Sequence, residues 1–293
     1  MRALLTTDGS EDAHLAMRAA VRLLELEDSH FDVLYVAPQF RIPKSGKMVD
    51  KAHRDRAAAE TRHLLGAAKR VLIEEGIAAA AHCDSGSPAN VIMRRAADYD
   101  LTVLGAKGRD VRSHVGLGPV ASRLVEHGSG CVLIGREPPS DRSVRILVPV
   151  DGSTGSEHAL DALSALFDLE SAEITLLHVI ETLWLPASSP AEGESDAEAR
   201  ENNQFTAELR REAEELLQDA RARVLPLHPG VTSLIREGLP ANEILSEADQ
   251  GGYDLIVVGA NASEDMKHSV LGSVSSKVAW SAPCSVLVAR PPE

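Results

Sequence analysis

Asp8-Gly9-Ser10 and Asp151-Gly152-Ser153 each set a carboxylate directly after a short apolar run. Such a carboxylate can accept hydrogen bonds from ribose hydroxyls or help place a metal ion; its plain alternative is an Asx turn that leads into a helix cap. A second pair of segments is rich in glycine. Gly105-Ala106-Lys107-Gly108 is followed, after nine intervening residues, by Gly118-Pro119, and Gly259-Ala260-Asn261-Ala262, after nine, by Gly272-Ser273. Glycines let a ligand approach the backbone, and free N–H groups at the start of a helix favour phosphate. Lys107, Arg109 and Lys267 lie in or beside these loops and have the length to reach a phosphate, although a solvated basic side chain fits them as well.

The chemistry is duplicated because the chain is. Tyr99–Ala106 and Tyr253–Ala260 are near copies, as are Arg2–Ser10 and Arg145–Ser153. A repeat of about half the length signals two similar domains, here 1–137 and 143–293, with the polar segment Gly135–Arg142 as linker. The second copy carries about nine extra residues, placed after Val179, where Pro186–Asp196 reads as a polar insertion. The acidic run Glu192–Glu201 reads as a solvated loop.

Each half alternates β-rich runs with helical patterns. Ile146–Val150, Ile174–Val179, Thr232–Glu237, Leu255–Val258 and Ser285–Ala289 are the second half's strand candidates, most of them apolar throughout, as strands buried on both faces are. Phe205, Leu209, Ala213, Leu216, Leu217, Ala220 and Val224 mark a helix by their spacing, as Leu64, Leu65, Ala68, Val71 and Leu72 do in the first half. The fold class expected is α/β: two tandem Rossmann-like domains, each a five-stranded, mostly parallel sheet with helices on both faces. Ligands of such sheets bind beyond the carboxyl ends of the strands, where these loops lie.

Composition narrows the function. Of 293 residues, 44% are hydrophobic and 25% charged, an ordinary soluble balance. Thirty Lys and Arg against 44 Asp and Glu leave a net charge of −14, which would repel a nucleic-acid backbone. No stretch approaches the roughly 20 apolar residues of a membrane span, and the three cysteines form no C-x-x-C; a cytoplasmic setting is expected. The eleven histidines show no metal-ligand spacing. Neither a Walker loop nor a G-x-S-x-G elbow is present.

The combination of Asp-Gly-Ser with G-x-x-G, nine residues and G-(S/T) resembles the universal stress protein family in its tandem, ATP-binding form, across essentially the whole chain. The resemblance implies a first site from Asp8, Val36, Gly105, Gly108 and Gly118, and a second from Asp151, Val179, Gly259, Gly272, Ser273 and Val274. The aspartates would face ribose, the valines adenine, and the glycine loops the phosphates of ATP with Mg2+. Each half departs once from the pattern. Pro119 removes a hydroxyl and a backbone donor, whereas Ala262 only adds a methyl, which ranks the second site as the tighter. Thr6 in place of Pro149 has no derived effect.

The resemblance implies a nucleotide-dependent stress-response or regulatory module that hydrolyses ATP slowly or not at all, with an unidentified protein partner. It also implies pairing of the last strands of the two halves, and homodimers of whole chains. A nucleotide-free scaffold of the same fold is the alternative. An adenylating enzyme would need a pyrophosphate loop that Thr7-Asp8-Gly9-Ser10 does not supply.

Overall fold

The computed structural model describes residues 1–37, 51–109, 116–137, 143–170, 172–181, 196–226, 228–260 and 271–291. In the first half β1 (Arg2–Thr7), β2 (His30–Ala37), β3 (Ala79–Ser85), β4 (Leu101–Gly105) and β5 (Cys131–Gly135) alternate with α1 (Glu11–Leu23), α2 (Lys51–Glu74), α3 (Pro88–Ala96) and α4 (Pro119–His127). The second half repeats the order. Its strands are β6 (Arg145–Pro149), β7 (Glu173–Glu181), β8 (Thr232–Gly238), β9 (Leu255–Gly259) and β10 (Ser285–Ala289); its helices are α5 (Thr154–Leu166), α6 (Asp196–Val224), α7 (Pro240–Gly251) and α8 (Ser273–Ser281).

All pairings within each half are parallel, and the halves fuse into one ten-stranded sheet in the order β3-β2-β1-β4-β5-β10-β9-β6-β7-β8. The seam is antiparallel, with Ile134 opposite Val286 and Val132 opposite Val288. The expected five-stranded units are present, and their last strands pair. A second contact joins them where α1 and α5 end: the Glu25 amide donates to the Leu166 carbonyl at 3.0 Å, beside a bridge between Leu24 and Phe167.

Side chains alternate across the sheet, so both faces need cover. Leu5 of β1 packs with α1, α2, α5 and α6 in one buried cluster, while its neighbour Leu4 belongs to a cluster with α3, α4, α7 and α8. Each is at most 1% exposed, and burying one such side chain contributes roughly 1.5–3 kcal/mol. Both clusters run through both halves.

The acidic run differs from its reading as a loop. α6 opens at Asp196, so the residues from Asp196 to Glu201 are helical. Acidic groups near a helix N-terminus are favoured by its dipole, and Ala and Glu are good helix formers. The remainder of the run, Pro186–Ser195, Ala262 and Lys267 lie outside the described residues.

Candidate functional site

Strand order reverses between β1 and β4, and again between β6 and β9. At each reversal neighbouring loops leave in opposite directions, which opens a crevice at the carboxyl ends of the strands. The first crevice has a volume of about 480 Å³ and gathers Asp8, Val36, Gly105, Gly108 and Gly118. The second has about 420 Å³ and gathers Asp151, Val179, Gly259, Gly272, Ser273 and Val274. Each residue that the resemblance assigns to the first or second site lines the corresponding crevice.

The local structure assigns different jobs to these residues. In both Asp-Gly-Ser segments the serine amide donates to the aspartate Oδ1, at 2.9 Å in the first and 3.0 Å in the second. The intervening glycines have φ of +77° and +76°, a conformation that side chains disfavour. Ser10 and Ser153 then cap α1 and α5, accepting from the Ala13 and Ser156 amides at 3.2 Å each. The segments are therefore turn and cap in both halves. A carboxylate has about four acceptor sites, so the turn leaves capacity on each aspartate. In the first crevice the Arg109 amide donates to Asp8 Oδ2 at 2.9 Å.

The glycines divide too. A Cβ on Gly259 would lie 1.8 Å from the Gly155 carbonyl oxygen, and one on Gly105 2.6 Å from the Asp12 backbone. These two let strand and helix backbones touch. Gly118 and Gly272 are N-caps of α4 and α8 with φ of −72° and −63°, which any residue can adopt. Their contribution is room above a helix N-terminus. The first N–H groups of a helix have no partner within it, so Ser273, Val274 and Ser275 offer backbone donors at α8, whereas Pro119 contributes none at α4.

Several lining residues escaped the sequence reading. Tyr35 precedes Val36 and His178 precedes Val179 in the crevice walls. Burial, then the Glu60 carboxylate, push the Tyr35 phenol above its ordinary pKa. His178 Nδ1 lies 2.8 Å from the Val150 carbonyl, which can only accept, so that nitrogen carries the proton of the bond. From α6, Leu209, Glu212, Ala213 and Leu216 face the second crevice, and Glu181 lines it as well. Adjacency to the valines was the available signal for Tyr35 and His178; nothing in the spacing singled out Glu212. Lys107 and Arg109 line the first crevice, with Arg109 Nη1 3.3 Å from Glu60 Oε1. Among the described residues no group of three or more His, Cys, Asp or Glu forms a metal site, and no helix is long and apolar enough to cross a membrane.

Compared with known proteins, the chain matches the Universal stress protein family over residues 1–136 and again over 144–290. A universal stress protein of Mycolicibacterium smegmatis is 25% identical over 98% of this chain and 96% of its own length. Universal stress protein YxiE of Bacillus subtilis is 33% identical, covering 50% of this chain and 98% of itself. The crystal structure of a universal stress protein from Archaeoglobus fulgidus superposes with a TM-score of 0.63 at 20% identity, over 99% of this chain and 98% of that one, a likeness of fold. With the duplicated α/β halves and their matching crevices, this establishes that the chain belongs to the universal stress protein family and carries two of its domains in tandem.

Proposed function

We propose that the chain is an adenine-nucleotide-binding regulatory module built of two units, 1–137 and 143–293, that holds ATP with Mg2+ and hydrolyses it slowly or not at all. One observation carries the reading: in each half a strand-end carboxylate, a valine at the end of the second strand and an uncapped, glycine-opened helix N-terminus share one crevice of nucleotide size. Val36 and Val179 would flank the base, Asp8 and Asp151 the ribose, and the N-termini of α4 and α8 the phosphates. Magnesium would come with the phosphates, since it keeps several waters and takes few protein ligands in such sites. Occupancy would be read by a protein partner. Pairing of whole chains belongs to the same reading, tested by sedimentation; β3 and β8 are the open edges of the sheet.

A nucleotide-free scaffold has two observations in its favour. The amides of Ser10 and Arg109 already take up part of the acceptor capacity of Asp8, and Pro119 removes a donor from α4.

Thermal unfolding of protein stripped of nucleotide by denaturation and refolding separates the two. Ligand at about 100 times its dissociation constant adds roughly 2.7 kcal/mol per site, a visible rise in Tm. An unchanged Tm at millimolar ATP and magnesium supports the scaffold.

A further inference from the structure

The first crevice is backed by a residue of the other half. A Cβ on Gly116 would lie 2.5, 2.6 and 2.7 Å from Cε2, Nε1 and Cζ2 of Trp280, so an indole from the last turn of α8 rests on the backbone just ahead of α4. Gly116 also has φ of +91°. The position excludes a side chain twice over, by its conformation and by the ring against it.

Gly116 leads straight into the crevice. Leu117 is buried, and the Gly118 amide donates to the Ala106 carbonyl at 2.8 Å, which ties the start of α4 to the loop that leaves β4. Ala106, Lys107 and Gly118 line the crevice. On their other side Ala106 and Lys107 border a separate hollow at the seam, together with Gly116 and Trp280. The glycine loop is thus a wall with the crevice in front and the indole behind.

The helix end that carries the ring is anchored to the half that the ring touches. Ala279 is fully buried, and its carbonyl accepts from Arg136 Nη2 at 2.9 Å. Trp280 itself is 46% exposed, so core burial does not account for its place on Gly116. The pair also belongs to one copy. Alignment of Gly118 with Gly272 sets Glu126 opposite Trp280 and Val270 opposite Gly116. Arg136 and Arg290, which join the halves from corresponding positions, occur in both copies, as a device of the seam would.

Resting on the nucleotide-binding reading above, we infer that Trp280 is a positioning residue for the first crevice: it braces Gly116–Gly118 from behind and fixes where the N-terminus of α4 meets the phosphates. The first site is complete only with the second half in place. Coupling of this kind is reciprocal, so a nucleotide that settles the loop changes the surroundings of the ring.

Two measurements on the full-length, nucleotide-stripped chain test this with ATP and magnesium. The first is emission. Trp184→Phe leaves Trp280 as the chain's one indole, and its fluorescence should shift and saturate with ATP. Because α8 also opens the second crevice at Gly272, Gly118→Val is the control, and it should abolish the shift. The second is calorimetry, in which Trp280→Ala should weaken one ATP site about tenfold and Trp280→Phe about twofold, since the smaller ring still covers Gly116. Should Trp280→Ala fail to fold, the emission of the intact ring decides. An unmoved emission, a shift that survives Gly118→Val, or an ATP affinity indifferent to Trp280→Ala would overturn the positioning role and leave nucleotide binding intact. Absence of heat from the parent chain would overturn both.

Discussion

The guanidinium of Arg136 donates from Nη1 to the backbone carbonyl of Cys284 at 2.7 Å, so a side chain leaving β5 of one half closes the end of α8 in the other. Its Nη2 reaches the Ala279 carbonyl at 2.9 Å. The exchange is mutual. Arg290, leaving β10, donates from Nη2 to the Val125 carbonyl near the end of α4. A cation at the carboxyl end of a helix is favoured by the dipole and supplies donors to the terminal carbonyls. The sheet seam is thereby clamped at both ends by residues from opposite halves.

The two clamps are unequal. Arg290 is 5% exposed, its Nε and Nη1 have no hydrogen-bond partner among the described residues, and burial pulls its pKa down to about 10. Arg136→Met strands two carbonyls and should cost about 1–3 kcal/mol. Arg290→Met removes a poorly solvated charge along with its one bond and should cost less. Urea unfolding midpoints compare them; the opposite order would show that Arg290 is the stronger clamp.

Structural and ligand-facing glycines should separate under mutation. Gly259→Ala forces a methyl into the α5 backbone at Gly155 and should destabilise by several kcal/mol, about the top of the range for single substitutions. Gly272→Ala keeps an allowed backbone conformation and should leave the unfolding midpoint within about 1 kcal/mol of the parent while reducing ligand affinity. Equal losses of stability would contradict this division.

Ser10→Ala and Ser153→Ala each remove a cap from the helix that follows an Asp-Gly-Ser turn. Each should cost about 1 kcal/mol. Thermal or urea unfolding reads this directly, and a negligible loss at both sites would mean that the Asx turns alone hold the helix starts.

Alkaline pH should weaken the fold in an identifiable order. Burial raises the Cys284 thiol from 9.0 to about 12, and Cys131 shifts the same way. Above pH 9 the unfolded chain releases these protons and the folded one retains them, so stability falls as pH rises toward the folded values. Tyr99, raised to about 12 by burial and by its bond to Asp32, acts likewise above pH 10. Arg290 acts oppositely: it binds its proton less well when folded, so its contribution to stability rises as pH climbs above about 10. The interval from pH 9 to 10 thus isolates the thiols. Tm should drop across it, and Cys284→Ala should flatten the drop; an unchanged slope would remove Cys284 as the cause.

ATP turnover should be below about one per minute, against roughly 1 to 1000 per second for ordinary enzymes. The strand-end carboxylate of the second crevice is tied into its Asx turn, with Oδ1 receiving the Ser153 amide, an arrangement suited to position rather than to proton transfer. Fast phosphate release that Asp151→Asn abolishes, with ATP affinity retained, would make this chain an enzyme.

The duplication, the strand and helix alternation and the turn-and-cap segments were legible in the sequence, because each shows directly in residue identity and spacing. Apolar runs such as Leu255–Gly259 can only be buried on both faces, and Asp-Gly-Ser writes a turn and a cap into three consecutive residues. The fusion of ten strands was different: the resemblance implied a β5–β10 pairing, but nothing in Cys131–Gly135 names its partner, and only the meeting of two sheet edges decides it. The roles of the glycines were hidden for the same reason. Gly105 and Gly118 look alike in a row of letters, yet one is held by the backbone of α1 and the other opens α4. Charge at the crevices was the least legible. Glu212 lies far along the chain from the Asp151 turn, and only the packing of α6 over Gly152 brings the two into one wall.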